Sequence, residues 1–505
     1  MSEKQERYSI ESSNKVSDNE VMDNFPETHL DLKHHTSQEI SSSGKWYDKK
    51  ILGFRYSDSM IQVVMVALVV FMTPGMFNAI SAVGKPISDV ATSDNANVAL
   101  YSTFASIGFF GGTITNVIGI KPSLMFGASG YIIYTGSLLC FFHTENKGFV
   151  IFAGAFLGIC ASVLWAAQGT IIMSYPTENT KGRAIMVFWV IFNLGAVIGS
   201  IIPLVNNMDN QTSTVKDSTY IIFMVLMGVG ILIASLLLPM NKVWRADGTR
   251  VIAEKHPYWK DELFALGKLL WNEPKIYLMF PMFFASNWFY TYQFNDFNAG
   301  RFNLRTRSLN SLIYWLAQMF GAIVFGTVLD LTFLRRSTRS RIGWTILFVL
   351  GMAIWGGGYA FQKTFTREDV KELVAIDFTH GNYIGPMFLY LFYGLFDAIF
   401  QNFIYWTLGA LSNNPKKVAL YAGFYKGIQS AGAAIAWRLD AIETPYMTMF
   451  ASSWALAIAG LLIAAPLNWF YITDHTDAEK DGLIQLVDES EIEVIKSQVD
   501  HKELA

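Results

Sequence analysis

Two ionisable residues, Asp397 and Lys426, stand alone near the middle of apolar stretches that carry no other charge at their centres. A charge at the bilayer centre costs about 2.5–3.5 kcal/mol on insertion scales, a cost offset by a partner or by water in a cavity. The stretch around Asp397 runs from about 383 to 411, and that around Lys426 from about 418 to 437. They follow each other in the chain and run in opposite directions. At about 1.5 Å per residue, both residues fall within a few ångströms of mid-depth. The sequence therefore predicts that carboxylate and ammonium pair there. Such an acid exchanges protons or contacts a cation, and such a base tunes the acid or holds an anionic group.

Neighbouring residues extend this polar centre. Asp397, Gln401 and Tyr405 recur every four positions, as do Tyr421, Tyr425 and Gln429 beside Lys426, so each set shares one helix face. Other apolar stretches contribute Asn78, Gln168, Asn193, Asn287, Gln293 and Gln318. In hydrocarbon these groups need partners. Singly, each reads as interhelical glue worth about 0.6–2 kcal/mol. As a set around one midplane pair they outline a cavity, with Asp397, Lys426, Gln401, Tyr405, Gln168, Asn78 and Gln429 as the candidate transport path.

The elements that must position these residues are membrane helices. Of 505 residues, 52% are apolar and 16% charged, whereas charged residues make up about a quarter of a soluble domain. Apolar stretches occupy residues 60–82, 98–119, 122–142, 149–174, 184–205, 219–239, 275–294, 309–333, 342–361, 384–411, 416–437 and 446–472. Most reach the roughly 20 residues that cross about 30 Å of hydrocarbon. The expected fold is all-α and integral to the membrane, with twelve transmembrane helices in two six-helix repeats. Residues 1–55 form a polar disordered tail, 56–240 the first bundle, 241–274 a linker, 275–472 the second bundle and 473–505 an acidic tail. No signal peptide is visible, so the first span is expected to act as the insertion signal.

Several functions find no support. There is no phosphate-binding GxxxxGK[ST] and no HExxH, and no histidine lies mid-span. Cys140 and Cys160 both fall within spans, so no disulfide framework is implied. No cofactor or metal is expected, and the reading is not an enzyme. A net charge of −3 offers no footing for nucleic acid. The expected surroundings are a lipid bilayer, a small-molecule or ion substrate, and a membrane-protein partner under a regulatory reading.

Loop charge sets the expected orientation. With both ends cytoplasmic, inner segments carry twenty Lys or Arg against ten in outer loops, the sense of the positive-inside rule. The sequon Asn210-Gln211-Thr212 then falls in an outer loop as a glycosylation candidate. The host membrane, plasma or vacuolar, is not legible. In the linker, Trp259, Leu263, Leu266 and Leu270 recur at helical spacing, which reads as a helix at the membrane interface or packed on the bundle. Glu479-Lys480-Asp481-Gly482-Leu483-Ile484 resembles an acidic dileucine sorting string, with a plain solvated tail as the alternative.

Between the second and third spans the chain reads Gly112-Thr113-Ile114-Thr115-Asn116-Val117-Ile118-Gly119-Ile120-Lys121. It resembles the major facilitator signature GxxxD(R/K)xG(R/K)(R/K), whose glycines permit close helix approach and a tight turn. Asn116 replaces the acid of that gate motif. After the eighth span the corresponding string, Gly326 to Asp330, keeps its acid and is followed by Arg335 and Arg336. The recurrence supports two repeats.

Further strings carry a narrower likeness. They are Thr73–Ile80, Trp165–Gly169, Thr180–Arg183, Asp397 with Gln401, and Tyr421–Gly432. Over residues 55 to 472 the chain resembles the UNC-ninety-three-like branch of the major facilitator superfamily, fungal members in particular. The resemblance implies a major-facilitator bundle and no particular substrate, since that branch mixes transporters with channel regulators and receptor escorts. Two functions follow as expectations. One is a secondary transporter of a small solute, proton-coupled at Asp397. The other is a non-transporting regulator in which the charged pair only locks the bundle.

Overall fold

The computed structural model describes residues 45–51, 53–78, 90–208, 217–251 and 264–476. Asn210, Trp259, Leu263, the tail before 45 and the dileucine-like string lie outside the described residues.

Among the described residues, nine helices are long and apolar enough to cross a membrane. They are Ser59–Asn78, Asn95–Ile118, Ile120–Thr144, Lys147–Ser174, Lys181–Ile201, Leu304–Leu329, Arg336–Gln362, Ile384–Leu411 and Tyr446–Tyr471. Three further segments complete the bundle in chain order: Asp217–Leu236 as the sixth, Pro274–Ala299 as the seventh, Pro415–Ala441 as the eleventh. The eleventh falls short on apolarity for a physical reason. Every residue from Val418 to Ser430 is buried, so protein rather than lipid surrounds it. The sixth shows the opposite environment, with Ile222, Val225, Leu232 and Leu236 exposed as a lipid-facing stripe.

Several helices outrun their apolar stretches. The second begins at Val90 and the ninth at Arg336, whose polar first turn is held by protein partners, Arg336 by Glu178 and Ser337 by Asp474. The seventh span, expected as one helix over 275–294, is instead broken. A 3₁₀ segment Pro274–Met279 leads into Phe280–Ala285, then Trp288–Thr291, then a π segment Tyr292–Ala299. The break falls at Ser286 and Asn287, where the Ser286 hydroxyl donates to the Phe283 carbonyl at 2.7 Å. The first span also turns π over Phe71–Gly75, around Pro74, which lacks the N–H an α-helix needs.

The two halves meet along two helix pairs, the second with the eleventh and the fifth with the eighth. Glycine makes the first contact close. A Cβ on Gly108 would stand 2.6 Å from the Cα of Gly427, which no real contact allows. The Gly154/Gly158 pair packs the fourth span on the second, where a Cβ at Gly154 would meet the Ala96 carbonyl at 2.5 Å. One end of the bundle carries the described chain ends and is called the tail face below. There Ser59 N–H donates to the Trp244 carbonyl at 2.8 Å and Arg245 reaches the Ser174 carbonyl at 2.8 Å. The short linker helix Ala265–Asn272 buries Leu269 and leaves Phe264 and Trp271 exposed, an amphipathic surface element.

Candidate functional site

Tenth-span residues from Phe396 to Ala410 are all buried, which places Asp397 among protein groups rather than lipid. Its Oδ2 accepts from the Tyr290 hydroxyl at 2.7 Å, the Gln318 amide at 2.6 Å and the Tyr314 hydroxyl at 3.1 Å. Its Oδ1 accepts from the Gln401 amide at 2.8 Å, one helical turn along. Four neutral donors thus hold a carboxylate, and charge-assisted bonds of this kind are the stronger ones.

Lys426 is held differently. Its Nζ donates to Gln429 Oε1 at 2.7 Å. The ammonium also lies over the rings of Trp165 at 4.4 Å, Tyr425 at 4.8 Å and Tyr405 at 5.4 Å. A cation over ring faces is stabilised by their negative quadrupole.

The expected direct pair is absent: among the described residues no ion pair joins Asp397 to Lys426. Glutamines join them instead. Gln429 Nε2 donates to Gln401 Oε1 at 3.1 Å, giving the chain Lys426, Gln429, Gln401, Asp397. The reason lies in the packing. The eleventh span lies mainly against the second, fourth and seventh, and the tenth mainly against the eighth and ninth. Succession in sequence did not make the two helices close partners.

A cavity of about 690 Å³, open mouth included, lies between the halves. Of the candidate path, Asn78, Gln401, Lys426 and Gln429 line it. Asp397, Gln168 and Tyr405 do not. Gln168 Nε2 donates to the Tyr405 hydroxyl at 2.8 Å and so ties the fourth span to the tenth. Trp189 Nε1 likewise reaches Gln318 Oε1 at 3.1 Å, from the fifth span to the eighth. Sequence reasoning left Tyr290, Tyr314 and Trp165 out of the site. In the seventh span the cluster of Asn, Gln and Tyr was the available signal for Tyr290.

The tail face is closed by a second set of bonds between halves. Lys181 Nζ donates to the Gly409 carbonyl and to Asn413 Oδ1, the latter at 2.7 Å. Asp330, the acid of the gate motif, accepts the Gly182 and Arg183 backbone N–H groups at 2.8 and 2.5 Å. It thereby caps the fifth span, whose first N–H groups have no intrahelical acceptor. Gly326 allows this approach: its own Cβ would stand 2.6 Å from that of Met186. Burial pushes the Asp330 carboxyl up to about 6, against the lowering effect of those two N–H groups and of Arg339 and Arg183.

The first gate string behaves otherwise, and Asn116 now has an account. The helix it abuts starts with Pro415, which has no N–H, and is capped by Asn414 accepting from Lys416 N–H at 3.0 Å. The N–H that an acid at 116 would meet first, that of Lys416, is already taken. Asn116 Nδ2 instead reaches the Lys416 carbonyl at 3.4 Å. Gly112 lets the second span touch the eleventh at Ala419, Gly119 turns the chain with φ +87°, and Lys121 follows in the third span.

The chain's last described residues finish the seal. Arg336 Nη1 meets Glu178 Oε1 at 2.9 Å, and Arg336 Nε donates to the Thr473 carbonyl at 2.6 Å. Thr476 N–H donates to Glu178 Oε1 at 3.0 Å, and Asp474 caps the ninth span at Ser337. Burial raises the Glu178 carboxyl, but Arg336 and the donors from Asn413 and Thr476 outweigh it and bring it down to about 2.

The family model described as "Ion channel regulatory protein UNC-93" matches residues 95–465. The chain belongs to the UNC-93 family. A UNC93-like protein of Schizosaccharomyces pombe, C922.05c, is 51% identical over 433 residues, covering 85% of this chain and 86% of that one. UNC93-like protein 1 of Arabidopsis thaliana is 39% identical over 457 residues, 90% of this chain and 97% of that one. Among solved structures, the major facilitator transporter FucP in the outward conformation superposes with a TM-score of 0.59 at 10% identity, over 83% of this chain and 99% of that one. A D-xylose-proton symporter gives 0.55 at 12% identity, over 83% and 99%. These likenesses establish that this UNC-93 member has the major facilitator fold.

Proposed function

We propose that the protein is a secondary transporter of a small solute, working by alternating access, in a state sealed at the tail face. The observation that carries this reading is the Lys426–Gln429–Gln401–Asp397 chain beside a cavity between two halves. Two buried charges are kept apart by neutral polar groups, which leaves each free to meet a solute or a proton. Asp397 is the proton carrier in this reading. Lys426, Gln401, Gln429 and Asn78 face the solute, while Gln168 and Tyr405 join the halves behind it. Rocking of the halves would release Lys181, Asp330 and the Glu178–Arg336 contact in turn. The charge bias assigns the tail face to the cytoplasm. Tags at both ends should then resist protease added to sealed cells, and digestion of either would reverse the assignment.

The family's description as an ion channel regulatory protein favours a second reading, a non-transporting channel regulator, in which the polar chain only holds the bundle together. Uptake separates the two. Vesicles holding the full-length protein are bathed in a low-molecular-mass cell extract, and their contents are compared by mass spectrometry with those of empty vesicles. Accumulation of a solute by wild type and not by Asp397→Asn supports transport. Contents matching empty vesicles, with the protein folded, would move the conclusion to the regulator.

A further inference from the structure

The cavity wall has an uneven charge inventory. Among its described lining residues Lys426 is the one that carries a charge, and Asp397 does not reach the surface of the cavity. Both oxygens of Asp397 are turned toward Tyr290, Tyr314, Gln318 and Gln401. A solute entering the cavity meets an ammonium and a set of neutral groups, and the balancing carboxylate is shielded from it. An ammonium offers three donors, and Gln429 takes one. Much of the rest of the wall is flat and aromatic, with Phe77, Phe104, Trp165, Trp189, Phe192 and Trp315, and its polar groups are neutral: the amides of Asn78, Asn287, Gln318 and Gln401 and the tyrosines Tyr101, Tyr131 and Tyr290. Pockets of this kind orient an apolar body with a few placed polar groups.

We infer that the cavity takes an organic monoanion with a flat ring body, a ring carboxylate, seated on Lys426. This rests on the transport reading and names its substrate class. A cation would face Lys426 without an acceptor charge on the wall. A neutral solute would leave the Lys426 ammonium, buried at the wall, uncompensated by anything in the cavity. A dianion or trianion would bring charge that a single ammonium does not balance. The same inventory fixes the coupling. The carboxylate takes Lys426 from Gln429, and the centre then holds one negative charge in excess, on Asp397. A proton on Asp397 restores neutrality, so one proton moves with each monoanion and no net charge crosses the membrane.

The test uses the full chain in nanodiscs and three probes of one shape: benzoate, benzamide and benzylammonium. Melting temperature and tryptophan fluorescence are read at millimolar concentration, Trp165 serving as a reporter beside Lys426. Benzoate should raise the melting temperature by several degrees and change the fluorescence, with the other two inert. Lys426→Gln should abolish the benzoate effect, and exposed Lys363→Gln should retain it. Equal or larger effects from benzamide or benzylammonium, no effect from any probe, or a benzoate effect that survives Lys426→Gln would each overturn the assignment. Should Lys426→Gln not fold, the ranking of the three probes on wild type decides alone. The readout is binding, so its failure differs from a failure of transport. Uptake of cationic or neutral solutes from extract would sink the anion class and leave the transporter standing. Benzoate binding without any uptake would do the reverse.

Discussion

Gln429 donates to Gln401 across 3.1 Å, and that bond, with a parallel path through the Tyr425 hydroxyl, links the two charges of the bundle centre. The Gln401 amide also contacts the Tyr290 hydroxyl at 2.9 Å, so one side chain serves both ends of the network. Gln401→Leu keeps the volume and removes every bond. A buried group left unsatisfied costs about 1–3 kcal/mol, and Gln429 and Asp397 each lose a partner. A melting-temperature drop with uptake reduced at least tenfold is expected. Unchanged uptake would take the chain out of the mechanism.

Asp397 and Lys426 should couple in a double-mutant cycle although no direct bond joins them. Members of one hydrogen-bond network couple by about 0.5–3 kcal/mol, while independent sites add to within about 0.5 kcal/mol, and both residues belong to the chain through Gln429 and Gln401. Removing one charge leaves the other buried and unbalanced, and removing both does not. The double variant should therefore be less destabilised than the sum of the two single variants, and it should regain no uptake. Full recovery of uptake in the double would take the charges out of the mechanism.

How legible was this centre? Asp397 and Lys426 stood out because a mid-span charge is rare and costly. Their surroundings did not. A tyrosine such as Tyr290 or Tyr314 looks the same in sequence whether it faces lipid or a carboxylate, and only packing tells. The eleventh span was marked by Lys426, but nothing in its apolar pattern foretold that protein encloses it throughout its middle. The nine long apolar helices were readable because apolar length is local. The broken seventh span was not, because a serine in an apolar run is ordinary; here the Ser286 hydroxyl bonds locally to the Phe283 carbonyl and also accepts from Gln429 of the eleventh span at 2.8 Å.

Glycines within one half and between halves should respond differently to added bulk. Gly154→Val forces the fourth span off the second inside one half, where a Cβ already meets Ala96 at 2.5 Å. Overpacking costs about 1–3 kcal/mol, and poor folding is expected. Gly108→Val presses on Gly427, across the seam. There the halves can part, so folding should survive and the closed population should fall. Spin-label distances between Asn179 and Phe333 would lengthen for Gly108→Val. A shared folding defect would mean that the seam does not open.

Acidity should bias the gate through Asp330. In the closed state burial raises its carboxyl above the ordinary carboxylate range, to about 6. A raised acid binds its proton better in the closed state, so closure is favoured at low pH. That contribution is full below about pH 4 and is lost as pH rises through about 6. Glu178 is lowered to about 2 and does not titrate across this window; its contribution fades only in strong acid. The Asn179–Phe333 distance should shorten between pH 7.5 and pH 5, and Asp330→Asn should flatten the response. A distance that lengthens on acidification would contradict the sign.

Residues Thr473 to Thr476 deserve a mechanical description. They are gripped by Arg336 of the second half and by Glu178 of the first. The closing span therefore ends in a hasp thrown across the seam, just ahead of the acidic tail in the sequence. Parting the two halves at this face means drawing the hasp, and any force applied to the tail arrives at the seam before it arrives anywhere else.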